Sequence, residues 1–478
     1  MLPPLIQSLL DSARYPHAAG NVEVVETHIS WVLLAGDYAY KIKKPVVLPF
    51  LDYGTVAKRR ACCEAELRLN RRYAPDTYLA VVEFEGEPAV QMRRFVESNR
   101  LDHVCARGEL TPEQLADLAR RLAAFHAEAA VANADERFGE PAQVLAPALE
   151  NFEELERLLP ATAARLARLK SWTQAEHAAR CDAFARRKAA GRVRECHGDL
   201  HLGNLVLLDG RPTPFDAIEF NDDFRWIDVA AEIAFTWLDL LDHGQPRLAT
   251  WFLNEWLLWS GDYDALAVLR YYAVYRALVR AKVAAIQEKA AEAVEYLAMA
   301  EALTTPASPS LTITFGLSGS GKTTASTALL MAEARAATIR LRSDVERKRL
   351  FGLAPDADSG GGIYGPDANL RTYDRLRTLT ASLLACGWSV IVDAAFLRRA
   401  ERDDFRALAA SLRVPFAILA CEAPIDELQR RLDARIGDAS EATVAVLDQQ
   451  RLWLEPLGTD ERELVAYSEI AGRDRVRP

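Results

Sequence analysis

Gly316-Leu-Ser-Gly-Ser-Gly-Lys-Thr-Thr324 follows directly on the apolar run Leu311-Thr-Ile-Thr-Phe315 and opens a helical stretch from Thr323 to Ala334. A buried strand, a glycine loop and a helix in that order bring an anion to a helix N-terminus, where glycines let backbone N–H groups close on phosphate oxygens. In this reading Gly316, Ser318, Gly319, Ser320, Gly321 and Thr324 shape the cradle, Lys322 reaches the outer phosphates of a nucleotide such as ATP, and Thr323 holds Mg²⁺. A second phosphate-handling stretch lies upstream, His197-Gly-Asp-Leu-His-Leu-Gly-Asn204, followed by Asp216. Two nucleotide-dependent domains are expected.

The 478 residues exceed what one core accommodates and suit two to four domains. Half of them are apolar and about a quarter charged, the balance of a globular chain. A net charge of -10 argues against broad nucleic-acid affinity, which needs a basic face, although local basic clefts stay open. Seven cysteines without a C-x-x-C pair argue against a disulfide framework or zinc site and for a reducing compartment. Asp11 interrupts the apolar N-terminus, and Phe235 to Leu241 and Trp251 to Trp259 are too short to span a bilayer. A cytoplasmic location and no membrane contact are therefore expected.

Thr304-Thr-Pro-Ala-Ser-Pro-Ser310 is the clearest linker and follows a long helical stretch from Arg276 to Leu303. The cut falls there, giving domains at 1–303 and 311–478. Residues 23–43 alternate, and Gly36-Asp37 between Trp31-Val-Leu-Leu34 and Tyr38-Ala-Tyr-Lys-Ile-Lys43 predicts a hairpin. Beyond about residue 110 the pattern turns helical, as in Leu115 to Ala130 and Val229 to Leu241. A small β-rich lobe over about 1–95 and a larger helical lobe over about 96–303 follow. After the linker, strand candidates Thr338 to Leu341, Ser389 to Val392 and Phe416 to Leu419 alternate with helices, which predicts a parallel sheet in an α/β domain.

Phosphoryl transfer needs a carboxylate to orient or deprotonate the acceptor hydroxyl, and an amide with a second carboxylate to hold the metal. The stretch from His197 to Asn204 with Asp216 supplies that set, and it resembles the H-G-D-x-H-x-x-N motif of the aminoglycoside phosphotransferase and choline kinase superfamily, a branch of the protein-kinase-like fold. The resemblance implies Asp199 as catalytic base, Asn204 and Asp216 as Mg²⁺ ligands, and His197 as a brace. Asp216-Ala-Ile-Glu-Phe and Asp228-Val-Ala are similar to downstream family segments, with Asp228 capping the next helix, and His126 is expected to be a packed helix residue. That fold also pairs a strand lysine with a helix glutamate. Lys41 with Glu66 is the favoured pair, while Lys43 and Glu64 stand between that role and solvated surface charge. No G-x-G-x-x-G loop precedes the lysine strand.

In the second domain, Arg342-Ser-Asp344-Val-Glu-Arg347-Lys348 follows a strand, and Ser389-Val-Ile-Val-Asp393 ends another with a carboxylate. Both carboxylates should reach the carboxyl edge of the sheet beside the glycine loop. Asp426 to Arg435 carries Arg430, Arg431 and Arg435 at a helix end, where arginines could neutralise a transferring phosphoryl group. The order resembles P-loop kinases of the polynucleotide 5'-kinase, gluconate kinase and zeta-toxin type. By that resemblance Asp344 is the general base, Arg347 positions the acceptor, Arg431 and Arg435 belong to a closing lid, and Asp393 assists Mg²⁺ or the acceptor. An N-cap role for Asp344 and solvated arginines are the plainer alternatives. Pro355 to Pro366 reads as a flexible insertion near the acceptor.

The whole chain resembles bifunctional proteins that fuse an aminoglycoside-phosphotransferase-like domain to a P-loop kinase. The expected activity is Mg²⁺- and ATP-dependent transfer of γ-phosphate to hydroxyls of small acceptors at two centres. A regulatory P-loop ATPase joined to a kinase-like binding module, and a nucleic-acid 5'-hydroxyl kinase in the second domain, are the other readings. The acceptors and the oligomeric state are not legible.

Overall fold

The structure is a computed structural model that describes residues 2–48, 50–305, 308–360, 362–434 and 440–466. The chain divides into two compact units. The first holds the chain up to Arg121, Phe125–His243 and Tyr271–Leu297; the second holds Leu122–Ala124, Gly244–Arg270 and the chain from Ala298.

The first unit begins with a five-stranded antiparallel sheet in the spatial order Glu23–Glu26, Ser30–Ala35, Tyr38–Lys43, Glu87–Arg93, Tyr78–Phe84. Gly36 and Asp37 turn the predicted hairpin, pairing Ala35 with Tyr38. The helix Val56–Arg71 begins at Thr55, whose side chain accepts from Lys58 N, and buries Cys63 with Tyr78, Val90 and Met92 of the sheet. The rest of the unit is mainly helical. Val229–Asp242 is nearly all buried and starts on Asp228, which accepts from Ala230 N at 2.9 Å while Arg187 grips its carboxylate at 2.7 and 2.8 Å. The helix expected over Arg276 to Leu303 is instead two, Leu266–Ile286 and Ala290–Thr304. Glu288 adopts a left-handed φ of 62°, and Lys289 N closes back on Ala284 O at 2.9 Å, a helix stop that glycine usually supplies.

The second unit is built on a five-stranded parallel sheet in the order Thr338–Arg342, Ser389–Asp393, Leu311–Phe315, Phe416–Ala420, Val465–Ala466. All four predicted strands are present. The loop helix runs Lys322–Met331, ending short of the expected Ala334 because the chain turns at Ala332 and Glu333. Residues 244–270 contribute the helix Pro246–Ser260, whose Asn254 treats the outer strand as a neighbouring strand would. Its Oδ1 accepts from Arg340 N at 2.7 Å and its Nδ2 donates to Thr338 O at 3.0 Å, which blunts that edge.

Candidate active sites

In the first unit, the face of Val229–Asp242 that carries Glu232, Thr236 and Asp239 holds the loop from His197 to Asn204 by its backbone. These residues recur at the spacing of one helix face. Glu232 accepts from His197 N and Gly198 N, Thr236 Oγ1 donates to Leu200 O at 2.7 Å, and Asp239 accepts from Leu202 N at 2.7 Å. The other Glu232 oxygen meets His126 Nε2 at 2.6 Å, so His126 packs inside the fold as expected. Gly198 has φ 90°, and a Cβ there would lie 2.6 Å from Phe224 O, so only glycine fits the turn before Asp199.

His197 is fully buried and braces two segments at once. Its Nδ1 accepts from Asp199 N at 3.3 Å, which leaves Nε2 to donate to Phe215 O at 2.8 Å, next to Asp216. Burial pushes its pKa down, as a neutral ring in that tautomer requires. Asn204 donates from Nδ2 to the Asp199 backbone oxygen at 2.9 Å and to its carboxylate at 3.0 Å, leaving its own oxygen directed elsewhere. Asp199 retains 36% of its side-chain exposure, enough to meet an incoming hydroxyl. Burial would raise its pKa, but His201, Arg276 and His197 outweigh it and hold the carboxyl well below the usual range.

Lys41 and Lys43 both project into one cluster. Lys41 Nζ donates to Glu66 at 2.9 Å and also to Asp216; Lys43 Nζ donates to the other Glu66 oxygen at 2.6 Å and to Glu219. Tyr53 OH donates to Glu219 as well. Of the two alternatives for Lys43, solvated surface charge is excluded, since it is 1% exposed; Glu64 is exposed and Glu66 takes both lysines. Burial would raise the Glu66 pKa, yet the two lysines bring it to about 2. Two ammonium groups thus face the three carboxylates of Glu66, Asp216 and Glu219, a surplus of negative charge next to Asn204 that suits a divalent cation. Asp216 has φ 63°, a left-handed conformation that aspartate tolerates at a modest cost.

The second unit has a cavity of about 850 Å³ lined by Ser318, Gly319, Ser320, Gly321, Lys322, Thr323 and Thr324 and also by Asp344, Arg347, Asp393 and Arg431. Gly316 lies just before it at φ 146°, and a Cβ there would fall 2.2 Å from Cys421 O. Lys322 Nζ folds onto Gly316 O and Leu317 O at 2.9 and 2.8 Å, while the Ser320 hydroxyl is buried without a partner, features of a loop shaped around an anion. Asp393 ends its strand as expected and accepts from Ser326 Oγ at 3.1 Å.

Asp344 lies in the first turn of the helix Ser343–Leu350 and opens into this cavity; the residue preceding that helix is Arg342, so Asp344 is not the N-cap. Burial pushes its pKa up, against the opposing pull of Ser440, Arg347 and Arg342. Arg347 is 6% exposed and donates to Asn369 Oδ1 at 3.0 Å, with its Nε buried and unpartnered. Arg431 pairs with Glu427 at 2.7 Å and reaches Gly319 O at 3.3 Å, whereas Arg430 is exposed and turns to Glu427. Arg435 lies outside the described residues. The insertion is tied down at Ser359, whose N donates to Glu441 Oε1 at 3.0 Å, and Glu441 in turn neutralises the buried Lys348 at 2.9 Å. Sequence reasoning missed Gln450, whose Oε1 accepts from Ser318 N at 2.8 Å and so occupies an amide of the glycine loop. Nothing in its neighbourhood in the sequence signals that contact.

Residues 65–269 match the phosphotransferase enzyme family and residues 311–457 match the AAA domain family. An uncharacterized protein of Mycobacterium tuberculosis is 31% identical over 446 residues, covering 89% of this chain and 88% of its own length, and one of Mycobacterium bovis matches to the same extent. The chain belongs to their family, and it joins an aminoglycoside-phosphotransferase-like domain to a P-loop kinase domain. This protein is an ATP-dependent kinase. Among solved structures, aminoglycoside 2'-phosphotransferase-IIIa in complex with GDP is similar at 14% identity, covering 63% of this chain and 99% of its own, with a TM-score of 0.41. A sugar kinase from Janibacter sp. HTCC2649 is similar at 20% identity, covering 34% of this chain and 84% of its own, with a TM-score of 0.27. Among the described residues no helix is long and apolar enough to cross a membrane.

Proposed function

We propose that the protein carries two phosphotransfer centres, each moving the γ-phosphate of ATP to a hydroxyl of a small-molecule acceptor. The observation that carries this reading is that in each unit a carboxylate accessible to an acceptor is tied to a lysine-bearing site: His197 joins Asp199 to the segment of Asp216, which Lys41 grips, and Asp344 shares a cavity with Lys322. At the first centre Lys41, oriented by Glu66, grips the nucleotide phosphates, and Asp199 orients the acceptor hydroxyl and takes its proton as the new O–P bond forms. Asn204 and Asp216 would hold Mg²⁺. At the second centre the amides around Gly319 to Lys322 cradle the phosphates, Asp344 serves as base, Arg347 positions the acceptor and Arg431 faces the transferring group; Arg435 belongs to the same lid in this proposal. Thr323 and Asp393 would hold Mg²⁺ there. In both sites the metal supplies neutralisation of phosphate charge.

The test is transfer from γ-labelled ATP into a deproteinised cell extract by wild type, Asp199→Asn and Lys322→Ala. Each substitution is expected to remove a different set of labelled products. Loss of the same set by both would mean one coupled centre, and labelling of none by wild type would favour the regulatory ATPase. Labelling of 5'-hydroxyl oligonucleotides that is lost in Asp344→Ala would assign the second centre to nucleic acid instead.

A further inference from the structure

Arg276, on the helix Leu266–Ile286, is 6% exposed and lacks a carboxylate partner among the described residues. Its Nε makes one long contact, 3.4 Å to Ala231 O. Its guanidinium lies 4.7 Å over the ring of Phe235 and 5.6 Å over that of Tyr275. The same Phe235 ring is 5.4 Å from the ring of His201, whose Nε2 is 3.5 Å from the Asp199 carboxylate. Arg276 and His201 therefore pack against the same aromatic ring, and the charge of Arg276 is felt at Asp199.

The carboxylates nearby are engaged. Asp239 receives Leu202 N and stands 3.9 Å from Arg280, and Asp242 accepts from Tyr296 OH at 2.8 Å. Arg280 itself is committed to Tyr296 at 2.8 and 3.1 Å. Arg276 is the contrast: among the described residues its Nη groups have no hydrogen-bond partner, and they are not fully enclosed. A buried, always-charged fork left unpaired costs stability, and such a fork matches the oxygens of a phosphate or carboxylate two at a time.

We infer that Arg276 forms an anion subsite at the acceptor side of the first centre, and that the acceptor there is a hydroxyl compound bearing a phosphate or carboxylate group rather than a cationic amine. This rests on the phosphotransfer reading of the first centre. The anion would be held by the Arg276 Nη groups while its hydroxyl meets Asp199; the reaction stays the same, with the hydroxyl proton passing to Asp199 and ADP leaving.

The test uses the full chain with Lys322→Ala, so that only the first centre transfers, and γ-labelled ATP. A deproteinised cell extract is divided by ion exchange into anionic, neutral and cationic metabolites. Label dependent on Asp199 is expected in the anionic fraction. Phosphatase treatment of that fraction beforehand separates the two sources: loss of the acceptor identifies a phosphate ester, and its survival a carboxylate. With the labelled acceptor, Arg276→Gln should raise KM by about tenfold or more with kcat little changed, and Arg276→Lys should recover part of the loss. Melting of Arg276→Gln that is unchanged or raised would accompany this result, since the substitution removes a buried unpaired charge. Asp199-dependent label in the neutral or cationic fraction overturns the inference, as does a fall in kcat without a change in KM, which would place Arg276 on the transferring phosphoryl group. Absence of Asp199-dependent label from every fraction is the distinct outcome in which the phosphotransfer reading itself fails and the subsite with it.

Discussion

Lys43 shares Glu66 with Lys41, yet the two lysines are not equivalent. Lys43 has no side-chain exposure and lies between Glu66 and Glu219, whereas Lys41 keeps 11% and reaches Asp216. Lys43→Met leaves the buried Glu219 without its lysine and Glu66 with Lys41 alone, and should destabilise the first unit by about 3–5 kcal/mol, read as a shifted urea midpoint. Lys41→Met should cost less stability and chiefly raise the KM for ATP, which steady-state kinetics will separate. The sign of acid sensitivity also follows. Glu66 falls to about 2 in the fold, below its unfolded value of about 4.3. Its contribution is complete above the unfolded value and is lost as pH falls toward about 2, so acid unfolding of this unit should be blunted in Glu66→Gln, which is already destabilised. Asp344 runs the other way. Because burial raises its pKa, the second centre should lose activity on acidification at a pH above the ~3.9 of an ordinary aspartate, and a pH profile of Lys322-dependent transfer will show it. The lysine-strand periodicity made Lys41 and Lys43 candidates together; only tertiary packing shows that one glutamate serves both.

Among the elements, the helix Val229–Asp242 turns one face into a mount for the loop from His197 to Asn204 through Glu232, Thr236 and Asp239. The sequence displayed its amphipathic run and the Asp228 cap, but polar residues on a buried face carry no mark of the backbone they will meet. In the second unit, Gln450 of the helix Val444–Trp453 caps Ser318 N, competing with any phosphate for that amide. Gln450→Ala should tighten ATP by about fivefold, the scale of one hydrogen bond of roughly 1 kcal/mol, as measured by titration calorimetry. Gly316→Ala is the opposite case: its Cβ would collide with Cys421 O, so nucleotide binding and the thermal midpoint should both fall. The glycine pattern was readable because conformational need is written in residue identity. Gln450 was not, because its partner lies 132 positions away in sequence.

At the scale of the chain, the linker composition at 304–310 suggests where the second domain starts, while contacts group residues 244–270 with the parallel sheet. Asn254 explains that grouping through its paired bonds to Thr338 O and Arg340 N. Asn254→Ala leaves both backbone groups of the outer strand unmet and should cost the second unit about 1–3 kcal/mol in a denaturant melt. Strand and helix alternation exposed the parallel sheet at the sequence level, but an edge strand does not announce what covers it. The central claim is that one chain holds two nucleotide centres. Calorimetric titration with a non-hydrolysable ATP analogue and Mg²⁺ tests it most directly: the account predicts two molecules bound per wild-type chain, one in Lys322→Ala, and one at wild-type affinity with a second weakened in Lys41→Met, whereas a single site in wild type would contradict it.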